Sequence, residues 1–327
     1  MLVVGNDVVG QASTAWEGDL FRLELWDRPL SAEFVRELHH GDGPQSAQTG
    51  LLADYDFSRL AKFSDRQSFL PDLFWATRSS GGIEPSKLVL DGRSWLASKG
   101  SIAGAAAAMQ KTNQFAIRVV CRPAQGAESD GRIVGIWGRK GEMDLRIRQD
   151  GTTLIFWFLN PLSVTRSDLV WHIRGVFEAG RMRDIVFSYD GSNAFLYLDG
   201  ERKNATYRLG PGIAMARLFH SVGTSEMDGY NDVYYFLVFF PAGILAELAA
   251  RRMSPSAFKS LWFLAAAFVA PAALVEILLI SVSGRPISFF YVTLSVVLAI
   301  AGCAWINIGS RIQGPFTHPT NELSAHR

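Results

Sequence analysis

Two carboxylates alternate along one short run of this sequence, and such a pair could do acid–base chemistry. In "EMDLRI" (142–147), Glu142 and Asp144 are separated by one residue, so both side chains would project from one face of a β-strand. Hydrolysis of a glycosidic bond needs an acid together with a nucleophile or base. An exposed strand shows the same alternation for solubility alone. We favour this second interpretation because the run ends in Ile147 and supplies no third carboxylate. We therefore predict no catalytic residues and a protein that is not an enzyme.

Three tryptophans are candidates for a second kind of chemistry, the stacking of an indole ring on a sugar. Trp137 and Trp157 lie in strand-like runs, and Trp171 follows them. Most tryptophans of a β-sandwich pack in its core, so we expect packing rather than sugar binding for most of the three. The sequence contains no His-Glu-x-x-His, Cys-x-x-Cys, Gly-x-Ser-x-Gly or phosphate-binding glycine motif. We therefore expect no metal and no cofactor from its motifs.

The composition divides the chain into a polar part and an apolar part. Lys and Arg number 32 against 31 Asp and Glu, which gives a formal charge of +1 and no indication of nucleic-acid binding. The mean hydropathy of +0.12 is high for a soluble protein because of three apolar runs, 233–250, 260–280 and 287–308. Each is close to the roughly 20 residues that cross a bilayer as a helix. We predict a membrane domain over 226–310 with three transmembrane helices.

Basic residues between the apolar runs predict the orientation of this membrane domain. Arg251, Arg252 and Lys259 lie in the first link, which has no acidic residue, whereas Arg285 alone lies in the second. Because basic loops stay in the cytoplasm, we place the first link inside. The polar N-terminal part is then extracytoplasmic, in the periplasm or on the cell surface. The tail, 311–327, is then cytoplasmic, and we expect it to be disordered.

The polar part, 1–225, has the pattern of an all-β domain. Eight short runs rich in β-branched and aromatic residues predict strands. They are 51–57, 87–92, 115–123, 131–138, 143–151, 153–159, 184–191 and 194–200. Four Asp-Gly pairs end such runs or join them, and Asp-Gly supplies the positive φ of tight turns. Many short strands with such turns predict an all-β jelly-roll sandwich.

Part of this domain resembles a known family. "RDIVFSYDGSNAFLYLDGERKN" (183–204) is similar to a hairpin of laminin-G-like domains, in the concanavalin A-like lectin/glucanase superfamily, and "LLADYDFS" (51–58) resembles the opening strand. The resemblance covers about 1–223 and implies the jelly roll. It also implies calcium, with Asp190 and Asp199 as the weak candidates, although Asp is common in turns and we expect the turn role. Glycosidases of this superfamily carry Glu-x-Asp-x-x-Glu, and Ile147 replaces its last carboxylate.

The beginning of the chain resembles the end of such a domain. "WEGDLFRLELWDRPLSAEFVREL" (16–38) is similar to the closing strand and short helix of the family, and the first apolar run begins where that strand should follow. We predict that 16–27 pairs in the same sandwich as 51–57 and 183–200, by circular permutation or by truncation upstream. The alternative is that 16–38 is the remaining end of a preceding domain.

The membrane domain has a weaker resemblance, to VanZ-like membrane proteins. "YYFLVFFPAGIL" (234–245) carries the family's Phe-x-Pro-x-Gly stretch, and Glu276 and Arg285 match its later Glu and Arg. Four polar positions of the family are changed in this chain. They hold Tyr235, Leu279, Tyr291 and Ser295. Because polar residues within a membrane are costly and usually functional, these changes argue against inherited chemistry. We predict instead that Glu276 and Arg285 form an ion pair that fixes the hairpin of the last two spans.

Together these features favour a binding protein over an enzyme. We expect a membrane-anchored extracytoplasmic binding module that acts as a structural or accessory subunit of a larger membrane-protein assembly. Its partners would be other membrane proteins through the three spans and an extracytoplasmic protein or glycan through the sandwich. Two alternatives stay open, a cell-surface glycan-binding (lectin-like) protein and a VanZ-like envelope or glycopeptide-resistance protein. Fold analogy alone cannot choose among them.

Overall fold

The computed structural model describes most of the polar N-terminal part and much of the apolar C-terminal part of the chain. The described residues are 1–6, 14–41, 49–58, 63–77, 82–84, 86–124, 130–137, 145–158, 169–208, 212, 215, 227–252, 269–278, 280–281 and 287–312. They divide into two compact units, an N-terminal unit over Met1–Asp228 and a C-terminal unit that begins at Gly229.

The N-terminal unit consists of two antiparallel sheets, numbered here by chain order of their strands. Sheet A runs Leu169–Ile173 (β12), Thr153–Phe158 (β11), Leu145–Asp150 (β10), Asp130–Ile136 (β9), Leu2–Val4 (β1), Leu96–Ser98 (β7), Leu73–Trp75 (β4). Sheet B runs Glu201–Arg208 (β15), Asn193–Leu198 (β14), Arg183–Tyr189 (β13), Phe115–Pro123 (β8), Glu17–Trp26 (β2), Lys87–Asp91 (β6), Gly82–Glu84 (β5), with Leu51–Asp56 (β3) also paired to β2. The predicted β-sandwich class is confirmed.

Aromatic side chains from both sheets meet in the core. Phe156 of β11 stacks on Phe187 of β13, with ring centroids 3.5 Å apart and planes 9° from parallel. Phe158 of β11 packs at 5.9 Å from Phe115 of β8 and at 5.5 Å from Tyr189 of β13. These residues alternate along their strands, so each strand turns one face inward. Because large rings dominate the buried apolar area, this cluster is a main source of the attraction between the sheets.

The segment that resembles a closing strand lies inside sheet B. β2 pairs with β8 along one side and with β3 and β6 along the other, and β8 pairs in turn with β13. This is the pairing that the sequence predicted for 16–27. The following helix α1 (Ala32–His40) begins at Ser31, whose hydroxyl accepts a hydrogen bond from the Phe34 N–H at 3.2 Å, and ends at Gly41 with φ +83°. Val35 of α1 packs on the outer face of sheet B.

Several elements escaped the sequence analysis. Three-residue strands such as β1 and β4 are too short for a hydrophobic period to show. The alanine-rich run "GAAAAM" (104–109) lies in a second helix, α2 (Ala103–Thr112), because alanine is the strongest helix former. Predicted strand ends are otherwise within a few residues of the observed ones.

The described residues of the C-terminal unit lie mostly in helices. Its described helices are α3 (Met227–Arg252), α4 (Val269–Leu278) and α5 (Phe289–Ile312). Only α3 and α5 are long and apolar enough to cross a membrane, over Gly229–Arg252 and Phe289–Ile308. Two of the three predicted spans are thus present among the described residues, and the ten residues described for α4 rise only about 15 Å against about 30 Å of hydrocarbon. Residues 260–268 of the predicted middle span lie outside the described residues.

Glycines bring α3 and α5 into close contact. A Cβ atom added at Gly243 of α3 would overlap the Ala299 carbonyl of α5, and one added at Gly302 of α5 would overlap the Phe240 carbonyl of α3. The Cys303 thiol donates to the Gly243 carbonyl at 3.1 Å. Small residues that let two backbones approach are typical of helix pairs in membranes.

Candidate functional site

The three candidate sugar-stacking tryptophans lie on two different faces of sheet A. Trp171 of β12 is 5% exposed and packs edge-on against Phe187, with ring centroids 6.0 Å apart. Trp157 of β11 points away from the core, because its neighbours Phe156 and Phe158 both belong to the core cluster. Trp137 follows β9, one residue after the core residue Ile136. Trp171 is therefore a packing residue, and Trp137 and Trp157 lie on the outer face.

The pairing of β9, β10 and β11 places Arg146 beside these two indoles. Gly135 of β9 pairs with Arg146 of β10, and Arg146 pairs with Trp157 of β11. Directly paired residues of an antiparallel sheet point to the same face. Arg146 was missed by the sequence analysis, although Asp150 and Thr153 flank the Gly151 turn and pair with each other. That turn alone would have aligned Arg146 with Trp157.

Two arginines and two tryptophans stack in alternation on this face. The Arg146 guanidinium carbon lies 4.3 Å from the centroid of the Trp137 ring and 4.0 Å from that of Trp157. The Arg132 guanidinium carbon lies 5.6 Å from the Trp137 centroid. All four side chains are partly exposed. We call Arg132, Trp137, Arg146 and Trp157 the arginine–tryptophan ladder; each such cation–π contact contributes about 0.5–2 kcal/mol, depending on exposure.

Gly135 makes room for the ladder. A Cβ atom added there would lie 2.8 Å from Nε1 of Trp137, so the indole rests against the bare backbone of β9. Within the described part of the chain, that indole N–H is buried and has no hydrogen-bond acceptor. The position of the Trp137 ring therefore depends on stacking and on the absence of a side chain at Gly135.

The chemistry available to the ladder is binding. A guanidinium stays protonated throughout the physiological range and presents N–H donors in a planar fork, and an indole offers an apolar face. Neither group is a nucleophile or a general base at neutral pH. Arg148, two residues along β10 from Arg146, forms an ion pair with Asp130 instead of stacking on an indole. Both side chains of that pair are exposed, so it provides a natural comparison for the stacked arginines.

The two calcium candidates are used by their own turns. The Asp190 carboxylate accepts hydrogen bonds from the Ser192 and Asn193 N–H groups at 2.8 and 2.6 Å. Asp199 has φ +53° and accepts from the Asp184 N–H at 3.0 Å and from Arg183 Nη1 at 2.6 Å. Among the described residues, no group of three or more His, Cys, Asp or Glu side chains is arranged to hold a metal ion.

Glu142 and Asp144 fall outside the described residues. Ile147, at the position of the last glycosidase carboxylate, is fully buried in the core.

A buried ionic network joins α1 to sheet B. Arg118 of β8 donates to both carboxylate oxygens of Asp184 at 2.9 and 2.8 Å, to Glu24 at 3.2 Å and to the Leu38 carbonyl of α1 at 3.0 Å. Arg22 lies 2.8 Å from the second oxygen of Glu24. Burial raises the pKa of the Glu24 carboxyl, while Arg118 and Arg22 oppose the rise. Since each carboxylate faces a guanidinium, this network is structural.

The helical unit retains polar groups that the sequence analysis had discounted. The Tyr235 hydroxyl of α3 donates to Oε1 of Glu276 of α4 at 3.0 Å, and the Tyr235 ring stacks on Tyr291 of α5 with centroids 4.6 Å apart. Asn231 and Ser295 are also buried. Tyr235, at one of the four positions that differ from the VanZ-like pattern, is therefore a hydrogen-bond partner of Glu276. Arg285 lies outside the described residues, so its ion pair with Glu276 stays a prediction.

No known protein family, curated protein or solved structure matches this chain. The resemblances to laminin-G-like and VanZ-like proteins rest on the sequence motifs alone.

Proposed function

We propose that this protein is a membrane-anchored, non-enzymatic binding module that acts as an accessory subunit of a larger membrane assembly, with its sandwich outside the membrane. The observation that carries the proposal is the presence, in one chain, of a β-sandwich and of two helices long and apolar enough to cross a membrane. We propose further that 260–280 forms a third span, in line with its length and composition.

The outward faces of the long helices support an anchoring and docking role. In the most apolar 18-residue stretch of α3 only 17% of the residues are buried inside the protein, and in that of α5 only 22% are. Leu245 of α3 is 65% exposed and Trp305 of α5 is 67% exposed. Apolar side chains of this size require lipid or the helices of a partner around them. If the protein is a subunit, part of the apolar surface of α3 and α5 contacts the helices of a partner protein.

The extracytoplasmic part of the proposal follows from the basic link. Arg251 and Arg252 end α3, and a link with such residues stays in the cytoplasm. The sandwich precedes α3 and is therefore assigned to the other side. The sandwich itself is proposed to be a laminin-G-like jelly roll closed by its own N-terminal segment, and the helical unit to be VanZ-like in origin.

A second candidate function, the binding of a cell-surface glycan, is favoured by the arginine–tryptophan ladder. Trp137 and Trp157 are partly exposed on the outer face of sheet A, and indole faces stack well on sugar rings. The ladder gives this candidate a defined site on the sandwich.

Site-specific photocrosslinking in intact membranes tests the subunit proposal. A photoreactive residue at Leu245, which is exposed, is compared with one at Phe239 of the same helix, which is 1% exposed. We expect a discrete crosslinked protein from position 245 and none from position 239. Crosslinking of position 245 to lipid alone would reduce the helices to an anchor and refute the subunit role.

A further inference from the structure

We draw no further inference here: the strongest candidate, the buried polar cluster of Tyr235, Glu276 and Ser295 between α3, α4 and α5, belongs to the helix packing already described, since the Tyr235 hydroxyl donates to Glu276 and the Ser295 hydroxyl donates to the Tyr291 carbonyl, and nothing among the described residues points to what the cluster would bind.

Discussion

Replacing Arg118 by methionine should be among the most damaging single changes in the sandwich. Methionine keeps much of the side-chain volume but removes four hydrogen bonds, two to Asp184, one to Glu24 and one to the Leu38 carbonyl. The Asp184 and Glu24 carboxylates are 6% and 2% exposed, so water cannot replace the lost donor. The change leaves two buried charges undercompensated and removes one hydrogen bond between α1 and sheet B.

The expected size of the effect follows from what is left behind. Removing one partner of a buried ion pair costs about 3–5 kcal/mol. Arg22 still faces Glu24 at 2.8 Å and His39 still faces Asp184 at 3.1 Å, so we expect the lower end, about 3 kcal/mol. For a domain of this size that loss lowers Tm by roughly 6–12 °C.

The deficit of the Arg118→Met variant should also depend on pH. In the native protein burial raises the pKa of Glu24 and Arg118 opposes the rise, so the variant has a still higher folded-state pKa. A carboxyl whose pKa is higher in the folded state than in the unfolded state stabilises the fold as pH falls through that folded-state pKa. The difference between variant and native protein is therefore largest at neutral pH and shrinks as the solution becomes mildly acidic.

Thermal unfolding of the full chain in detergent, followed by tryptophan fluorescence, measures both effects. Arg181→Met is the control, because Arg181 and its partner Glu178 are both more than half exposed and such a pair contributes at most about 1 kcal/mol. A loss for Arg118→Met no larger than the control, or a deficit that stays constant from about pH 7.5 to about pH 5, would refute the reasoning.

Three further changes test other parts of the structure. Gly302→Ala should lower the free energy of unfolding of the helical unit by about 1–3 kcal/mol, because the new methyl group overpacks against the Phe240 carbonyl. Gly229→Ala is the control, since nothing lies within 4 Å of a Cβ atom added there. Equal effects of the two changes would contradict the close helix contact. Tyr235→Phe removes the 3.0 Å hydrogen bond to Glu276 and should cost about 1–3 kcal/mol in the same assay, more than the neighbouring Tyr234→Phe. Burial raises the pKa of the Cys121 thiol, so a thiol reagent should modify it only on unfolding; rapid modification of the native protein would argue against its burial.

Much of the fold could be predicted from the sequence, because strands, turns and helix ends depend on residues that are neighbours in the chain. The runs around Phe156, Phe187 and Leu196 are rich in apolar residues and mostly buried, and Asp-Gly turns follow the strands that contain Phe187 and Leu196. The strand and the helix over 16–38 could be predicted from local signals such as the Ser31 N-cap and the Gly41 stop, whereas their place in the sandwich was predicted from the family resemblance.

The remaining features depend on contacts between distant parts of the chain. Strands of three residues, such as β1 between β9 and β7, contain too few side chains for a period. The tryptophans were recognised as candidates, but the sorting of Trp171 to the core and of Trp157 to the outer face required the strand register. The Tyr235–Glu276 hydrogen bond joins residues that are 41 positions apart and lie in different helices, so no local sequence pattern predicts it.

The most direct test of the whole account is the side of the membrane on which each part lies. Two single-cysteine additions, Glu201→Cys at an exposed position of β15 and Ser256→Cys in the basic link, are treated with a membrane-impermeant maleimide in intact cells. The native protein is the blank, because Cys121 and Cys303 are both buried. The account predicts labelling at position 201 in intact cells and at position 256 only after permeabilisation. Labelling of position 256 in intact cells with position 201 protected would contradict the extracytoplasmic sandwich and the functions proposed for it.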